Sequence, residues 1–324
     1  MKQPKSLALL ATAILACAPL AAMAQAWPAK PITYVVPFTP GGTTDTIGRT
    51  ISHSLASVLG QPVVVDNKPG AAGALAARLV ANANPDGYTL LGGTISTHAI
   101  NAGLYKNLGY DPIKDFEPVS LIGFIPNALY VNAQLPVNSV QELIALLKKD
   151  QAQRTFASPG AGSSTHLAGE LFADLIGVPL AHVPYKGQPQ ALQDVAAGQV
   201  AFLFDQLTAG MGLVKAGKLK LLAVTTSKRV AAAPDTPTMD EAGVKGFEMV
   251  AWQAVYAPKG TPKPIIDRLN KEIVAIVKTP EVREKMAATG IEVVGSSPQE
   301  LTKFMQMEIP RWAELIRKSG AQPN

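Results

Sequence analysis

The chain has 324 residues, 47% hydrophobic and only 16% charged, enough for two domains of ordinary size and too apolar for long disordered tracts. Its net charge of +5 falls to +3 once Lys2 and Lys5 are removed with the leader described next. With no Lys/Arg stripe, that balance gives no basis for a nucleic-acid partner and is compatible with an anionic ligand.

Residues 1–26 read as a secretory signal peptide: a basic start at Lys2 and Lys5, an apolar stretch over 7–20, and small residues allowing cleavage after Ala24 or Ala26. The apolar stretch is too short and wrongly flanked for a permanent membrane span. Ile14-Leu15-Ala16-Cys17 loosely resembles a lipoprotein box, but the apolar run continues past it to a better cleavage site. Cys17 is the only cysteine, so a chain cleaved after Ala26 has no disulfide, thiolate metal site or cysteine nucleophile.

From Trp27 onward, short apolar strands alternate with amphipathic helices. The pattern predicts a strand over 32–38, a helix over 43–59 ended by Gly60, a strand over 62–66, a small-residue helix over 71–81 and a strand over 88–92. This βαβαβ order predicts a parallel sheet with right-handed crossovers, which binds ligands beyond the carboxyl ends of its strands. Two loops fall at that edge. One holds Phe38, Gly41, Gly42, Thr43 and Asp45; the other, over 93–98, holds Thr94, Ser96, Thr97 and His98. Gly41 and Gly42 allow a sharp turn, and the first N–H groups of the helix after Thr43 have no intrahelical acceptor, an anion-holding arrangement. A plain strand–turn–helix connection has the same pattern. Asp45 at such a mouth would repel an anion, so its expected task is to accept N–H bonds from its own loop.

A long apolar run over 116–133 has no helical period. Ser139 and Glu142 form a capping box that opens a helix to about Lys149. A second alternation then starts at Thr155, with strands over 155–157, 181–184, 200–205 and 219–225 and helices over 165–176, 189–197 and near Leu213. The runs over 116–133 and 247–257 read as two strands crossing between domains, a natural hinge. Residues 27–125 with 253–324 form the first domain and 126–252 the second. Thr261-Pro262 and Ser297-Pro298 open helices in the tail, and Pro310 is expected to kink the last one.

The second alternation carries its own glycine loop, with Gly160, Gly162, Ser163 and Ser164 before a helix bearing His166. Facing the first loop across a cleft, it would grip one small acid from the other side; Ser163 and Ser164 read equally as simple caps. His98 and His166 each follow a hydroxyl-rich loop, though a His bonded to a loop carbonyl is the commoner outcome. Asp205 ends an apolar strand, where it either meets the ligand or caps the next helix. The chain lacks G-x-S-x-G, the P-loop and H-E-x-x-H, so no catalytic residue, metal or cofactor is expected. The alternative is a secreted serine hydrolase using Ser163 or Ser164 with His166, on a spacing poor for a triad.

The chain resembles the extracytoplasmic solute receptors of tripartite tricarboxylate transporters, the Bug family, over nearly its whole length. The resemblance rests on Trp27-Pro28, Lys30-Pro31-Ile32, Pro37-Phe38 with Pro40-Gly41-Gly42 and Asp45, Asn67-Lys68-Pro69-Gly70 with Gly73, and Pro85-Asp86-Gly87-Tyr88. Thr97-His98 with Asn101, His166-Leu167-Ala168-Gly169-Glu170, Pro184-Tyr185-Lys186-Gly187 and Arg311-Trp312 complete it. One difference is Gln206-Leu207-Thr208 after Asp205, where the family pattern has Asn, Leu and Pro. The resemblance implies an α/β periplasmic-binding-protein architecture: two lobes, each a mostly parallel sheet flanked by helices, joined by two crossing strands. It further implies a monomeric periplasmic receptor that closes on a small mono- or dicarboxylate, aromatic acid or acidic amino acid and delivers it to a membrane permease. Both glycine loops would contact the ligand, partly through water. Tyr185 and Lys186 match a family motif, with Lys186 either pairing a distal carboxylate or standing in a surface ion pair.

Overall fold

The computed structural model describes residues 27–288 and 290–319; the leader expected over 1–26 lies outside them. The first unit runs β1 (Ile32–Val36), α1 (Thr43–Leu59), β2 (Val63–Asn67), α2 (Ala74–Ala81) and β3 (Thr89–Thr94), followed by a π-helical turn over Ser96–Ile100 that continues into α3 (Asn101–Leu104). β1 pairs in parallel with β2 and β3, as the alternation predicts. The helix expected to open at Ala71 opens at Ala74 instead, because Ala71 and Ala72 take left-handed φ values of 47° and 49°. The loop expected over 93–98 is strand and helical turn: Thr94 N–H donates to Thr97 Oγ1 at 2.9 Å, and Thr97 N–H returns to Thr94 Oγ1 at 3.4 Å, a reciprocal cap.

β4 (Phe116–Asn132) is the long strand expected there. It leads to α4 (Val140–Lys149), β5 (Thr155–Ser158), α5 (Ser164–Ile176), β6 (Ala181–Pro184), α6 (Gln188–Ala196), β7 (Phe202–Gln206), α7 (Leu207–Lys215) and β8 (Leu219–Val224). The chain returns through β9 (Val250–Pro258) and ends in α8 (Lys263–Lys278), α9 (Pro280–Ala288), β10 (Glu292–Val293) and α10 (Pro298–Ser319). α10 continues through Pro310 as one helix.

β4 belongs to two sheets. Its first half, to Pro126, pairs antiparallel with β9, which also pairs with β3. From Asn127 onward it runs between β7 and β8, while β5 pairs in parallel with β6 and β7. The change of partner falls between the pairs Pro126↔Val250 and Asn127↔Gln206. Two sheets joined through β4 and β9 make the two-lobed fold.

The C-terminal helices α8 and α10 pack on β4. The α10 carboxylate of Glu308, 5% exposed, accepts both the Trp252 and Trp312 indole N–H groups at 2.9 Å. Removing it strands two buried donors. The Glu308→Ala variant is therefore expected to lose about 3 kcal/mol in urea unfolding, against about 1 kcal/mol for an average substitution.

Candidate functional site

Where β4 changes sheets, the two lobes enclose a cavity of about 40 Å³. Its walls come from the first glycine loop (Phe38, Thr39, Gly42, Thr43, Thr44), the end of β3 (Thr94, Ile95, Ser96) and the second glycine loop (Pro159, Ser163, Ser164, Thr165). Gln188, Gln206, Ile125, Ala251, Trp252 and Gln253 complete them. The two glycine loops thus share one cavity.

Each loop is built from its own residues. Gly41 sits at φ 83°, a left-handed turn that brings its N–H onto Asp45 Oδ2 at 3.0 Å. Asp45 also takes Arg49 Nε at 2.9 Å and Asn67 Nδ2 at 2.9 Å. Burial acts to raise its pKa, but these bonds outweigh it and hold the carboxyl below the usual carboxylate range. Asp45 therefore ties down its own loop and stays out of the cavity wall. In the second loop Gly162, at φ 80°, donates its N–H to His166 Nδ1 at 3.1 Å, and Ser163 Oγ caps α5 by accepting from His166 N–H at 3.2 Å. His166 Nε2 lies 3.3 Å from Glu170, and its ring stacks on His182 at 4.0 Å. Burial and the neighbouring His166 push His182 down to about 3, and its Nε2 lies 2.6 Å from Ser158 Oγ. His166 supports a loop. Its ring nitrogens face Gly162 and Glu170, and neither is hydrogen-bonded to the Ser163 or Ser164 hydroxyl, as a hydrolase would need.

Of the residues expected to bind ligand, Phe38, Gly42, Thr43, Thr94, Ser96, Ser163 and Ser164 line this cavity. Gly160, Tyr185 and Lys186 instead line a wider space of about 640 Å³ at the cleft mouth, which shares Phe38, Thr39 and Pro159 with the inner cavity. Lys186 is in none of the ion pairs among the described residues and is exposed. Gly41 opens on a third space beside Pro189. Gly162 packs against the other lobe, where an added Cβ would lie 2.6 Å from Leu104 Cδ2. His98 is in the core: its ring stacks on Tyr256 at 3.7 Å, Thr97 Oγ1 lies 2.9 Å from its Nδ1, and burial pushes it down to about 3. Thr97 serves the cap at Thr94. Asp205 is fully buried behind Gln188 rather than in the wall.

Gln188, Trp252 and Gln253 escaped the sequence reading, which met Gln206 only as a difference from the family pattern. Gln188 stands at the first position of α6, and Thr43 N–H donates to its Oε1 at 3.0 Å across the cleft. Its Nε2 donates to Asp205 Oδ1 and Gln206 Oε1. Gln253 Nε2 donates to Thr44 Oγ1 at 2.9 Å. A signal for Gln188 existed: Gly187-Gln188-Pro189 follows a strand and opens a helix, as both glycine loops do.

Three helix starts therefore meet at the cavity: α1 at Thr43 and Thr44, the turn at Ser96, and α5 at Ser164 and Thr165. Their leading N–H groups and positive dipole ends favour a carboxylate. No Lys, Arg, His, Asp or Glu lines the cavity, and among the described residues no cluster of His, Cys, Asp and Glu could hold a metal.

The sequence matches the family described as the tripartite tricarboxylate transporter family receptor over residues 47–321. The chain belongs to this receptor family. The receptor is 38% identical to BugT of Bordetella pertussis over 300 residues, covering 92% of each chain. Its fold is similar to that of R. palustris Rpa4515 with adipate, at TM-score 0.88 and 41% identity over 92% of this chain and 100% of that one. It is likewise similar to MatC of Rhodopseudomonas palustris with bound malate, at TM-score 0.85 and 36% identity over 89% and 99% of the two chains. Family and fold are those of solute-binding receptors rather than enzymes. No helix among the described residues is long and apolar enough to cross a membrane.

Proposed function

We propose that the chain captures a small carboxylic acid in the inter-lobe cavity and hands it, chemically unchanged, to a membrane permease of the tripartite tricarboxylate type. The observation that carries this reading is the meeting of three helix starts in a cavity with no charged side chain in its wall. A charge-assisted hydrogen bond from such a donor contributes on the order of 1.5–3 kcal/mol, so a few suffice to hold a small acid. Relatives captured with adipate and with malate support it. In the same reading the leader over 1–26 exports the chain to the periplasm, where it works as a monomer. Residues 27–125 with 253–324 close against 126–252 about the crossing strands, and the ligand-facing residues are those lining the inner cavity.

A thermal-shift screen of dicarboxylates, hydroxy acids and aromatic acids tests this. An acid at 100 times its Kd adds about 2.7 kcal/mol, which raises Tm by roughly 4 °C for a chain of this size. A screen in which no acid stabilises the protein overturns the reading.

A further inference from the structure

Helix α1 starts on a glycine. Its N-cap, Gly42, has no side chain to accept from the leading N–H groups. The acid of its first turn, Asp45, is taken up by Gly41, Arg49 and Asn67. The cap comes instead from the other lobe. Thr43 N–H donates to Gln188 Oε1 at 3.0 Å, a buried bond between residues 145 apart in the chain. A side chain at position 42 would compete for the same space, since a Cβ there would lie 3.0 Å from Gln188 Oε1.

The Gln188 amide is held from behind. Thr43 N–H can only donate, so the atom facing it is Oε1, and Nε2 donates to Asp205 Oδ1 and Gln206 Oε1 within its own lobe. Asp205 is fully buried; its Oδ1 also takes the Gln206 backbone N–H at 2.8 Å, and its Oδ2 has no partner among the described residues. Gln188 and Gln206 are thus the donors that this carboxyl has, and their hold turns Oε1 toward the first lobe. The neighbouring approaches across the cleft, Gly162 toward Leu104 and Gly187 toward Thr39, are packing contacts.

On the reading that the lobes close about the crossing strands, we infer that Gln188 is a positioning residue that latches the closed form by capping α1 from the opposite lobe, with or without an acid bound. The bond exists only when the lobes are together. It therefore favours closure by the net worth of one amide hydrogen bond, a bias of roughly three- to tenfold in the closed-to-open ratio.

Single-molecule fluorescence in buffer without added carboxylic acid tests this. Cys17 is the only cysteine, so Cys17→Ser combined with Lys106→Cys in one lobe and Gln190→Cys in the other places a dye on each side of the cleft at exposed positions. Thr43→Pro removes the donor at least cost to the helix. Thr43 is the first residue of α1, where proline is favoured, and Gly42 before it is already extended at φ −82° and ψ 171°. Gln188→Met removes the acceptor. Each variant should raise the open-to-closed ratio by roughly three- to tenfold. The double variant should be no more open than Gln188→Met alone, because both changes break one bond. Gln193→Met, exposed on the same helix, should leave the ratio as it was. Circular dichroism checks that each variant is folded. A ratio unmoved by Thr43→Pro and by Gln188→Met, or effects that add in the double variant, overturns the inference while the carboxylate-receptor reading stands. Dyes that report one fixed separation in every variant overturn lobe closure and the latch together.

Discussion

Replacing Gly187 by valine is expected to abolish ligand capture while leaving both lobes folded. Gly187 has φ −173°, extended backbone that any residue adopts, so the substitution introduces no local strain. The obstacle lies across the cleft: a Cβ at Gly187 would sit 2.1 Å from Thr39 Oγ1 and 3.1 Å from Thr39 Cβ. Thr39 belongs to the first glycine loop and Gly187 to the start of α6, so only closure brings them together. The ligand would then bind one open half-site, with the donors of the other lobe out of reach. An affinity loss of at least about 100-fold, near 2.7 kcal/mol, is expected in calorimetric titration. The ligand-free unfolding midpoint should stay close to that of the unaltered protein, because the added methyls reach solvent once the cleft opens. Thr39→Gly in the same chain should recover part of the affinity. Full affinity in Gly187→Val would mean that the lobes do not close on the ligand along this contact.

The second large effect concerns pH. Burial raises the Asp205 carboxyl from 3.8 to about 7, against the lowering effect of the bonds from Gln188 and Gln206. A raised folded-state pKa means that the folded protein holds this proton after the unfolded chain has released it. Below pH 3.8 the residue is neutral in both states and imposes no penalty. As pH rises toward 7 the unfolded state is favoured progressively, and above 7 the penalty is complete. Between pH 5 and pH 8 this single group should cost roughly 2–3 kcal/mol of stability. Asp205→Asn cannot ionise and still offers Oδ1 to Gln188, so its advantage over the unaltered protein should grow by that amount over this interval. Urea unfolding at the two pH values measures it, and parallel pH profiles for the two proteins would refute it. Weaker capture at acid pH is not expected from Asp205, since neutralising it leaves the bond from Gln188 in place.

Much of the fold follows from local pattern. Strand and helix periods gave the two alternations, and the uninterrupted runs at β4 and β9 marked the crossing strands, because a strand buried on both faces has no alternation to show. Both glycine loops were visible for a related reason. A left-handed φ at Gly41 or Gly162 requires a residue without Cβ, and the helix that follows must leave its first N–H groups free. The role of Asp45 was also legible, since its partner Gly41 is only four residues away.

The cap at Thr94 and Thr97 turned a predicted polar loop into a helical turn and drew His98 into the core against Tyr256. Nothing in the sequence near His98 announces that stacking, because Tyr256 arrives on a strand from the far end of the chain. The same separation hid Gln188. Its acceptor oxygen fills the start of a helix 145 residues away, and it aligns Gln206 in the same stroke.

By itself the sequence determined that this chain has two α/β units, each with donor-rich turns at the carboxyl edge of its strands, because backbone periodicity and glycine conformation are properties of neighbouring residues. Only the tertiary structure decided which of those donors remain open to a ligand and which a protein amide already occupies. That choice depends on which side chains the closed lobes bring within hydrogen-bond distance, and no local pattern encodes a contact made across a cleft.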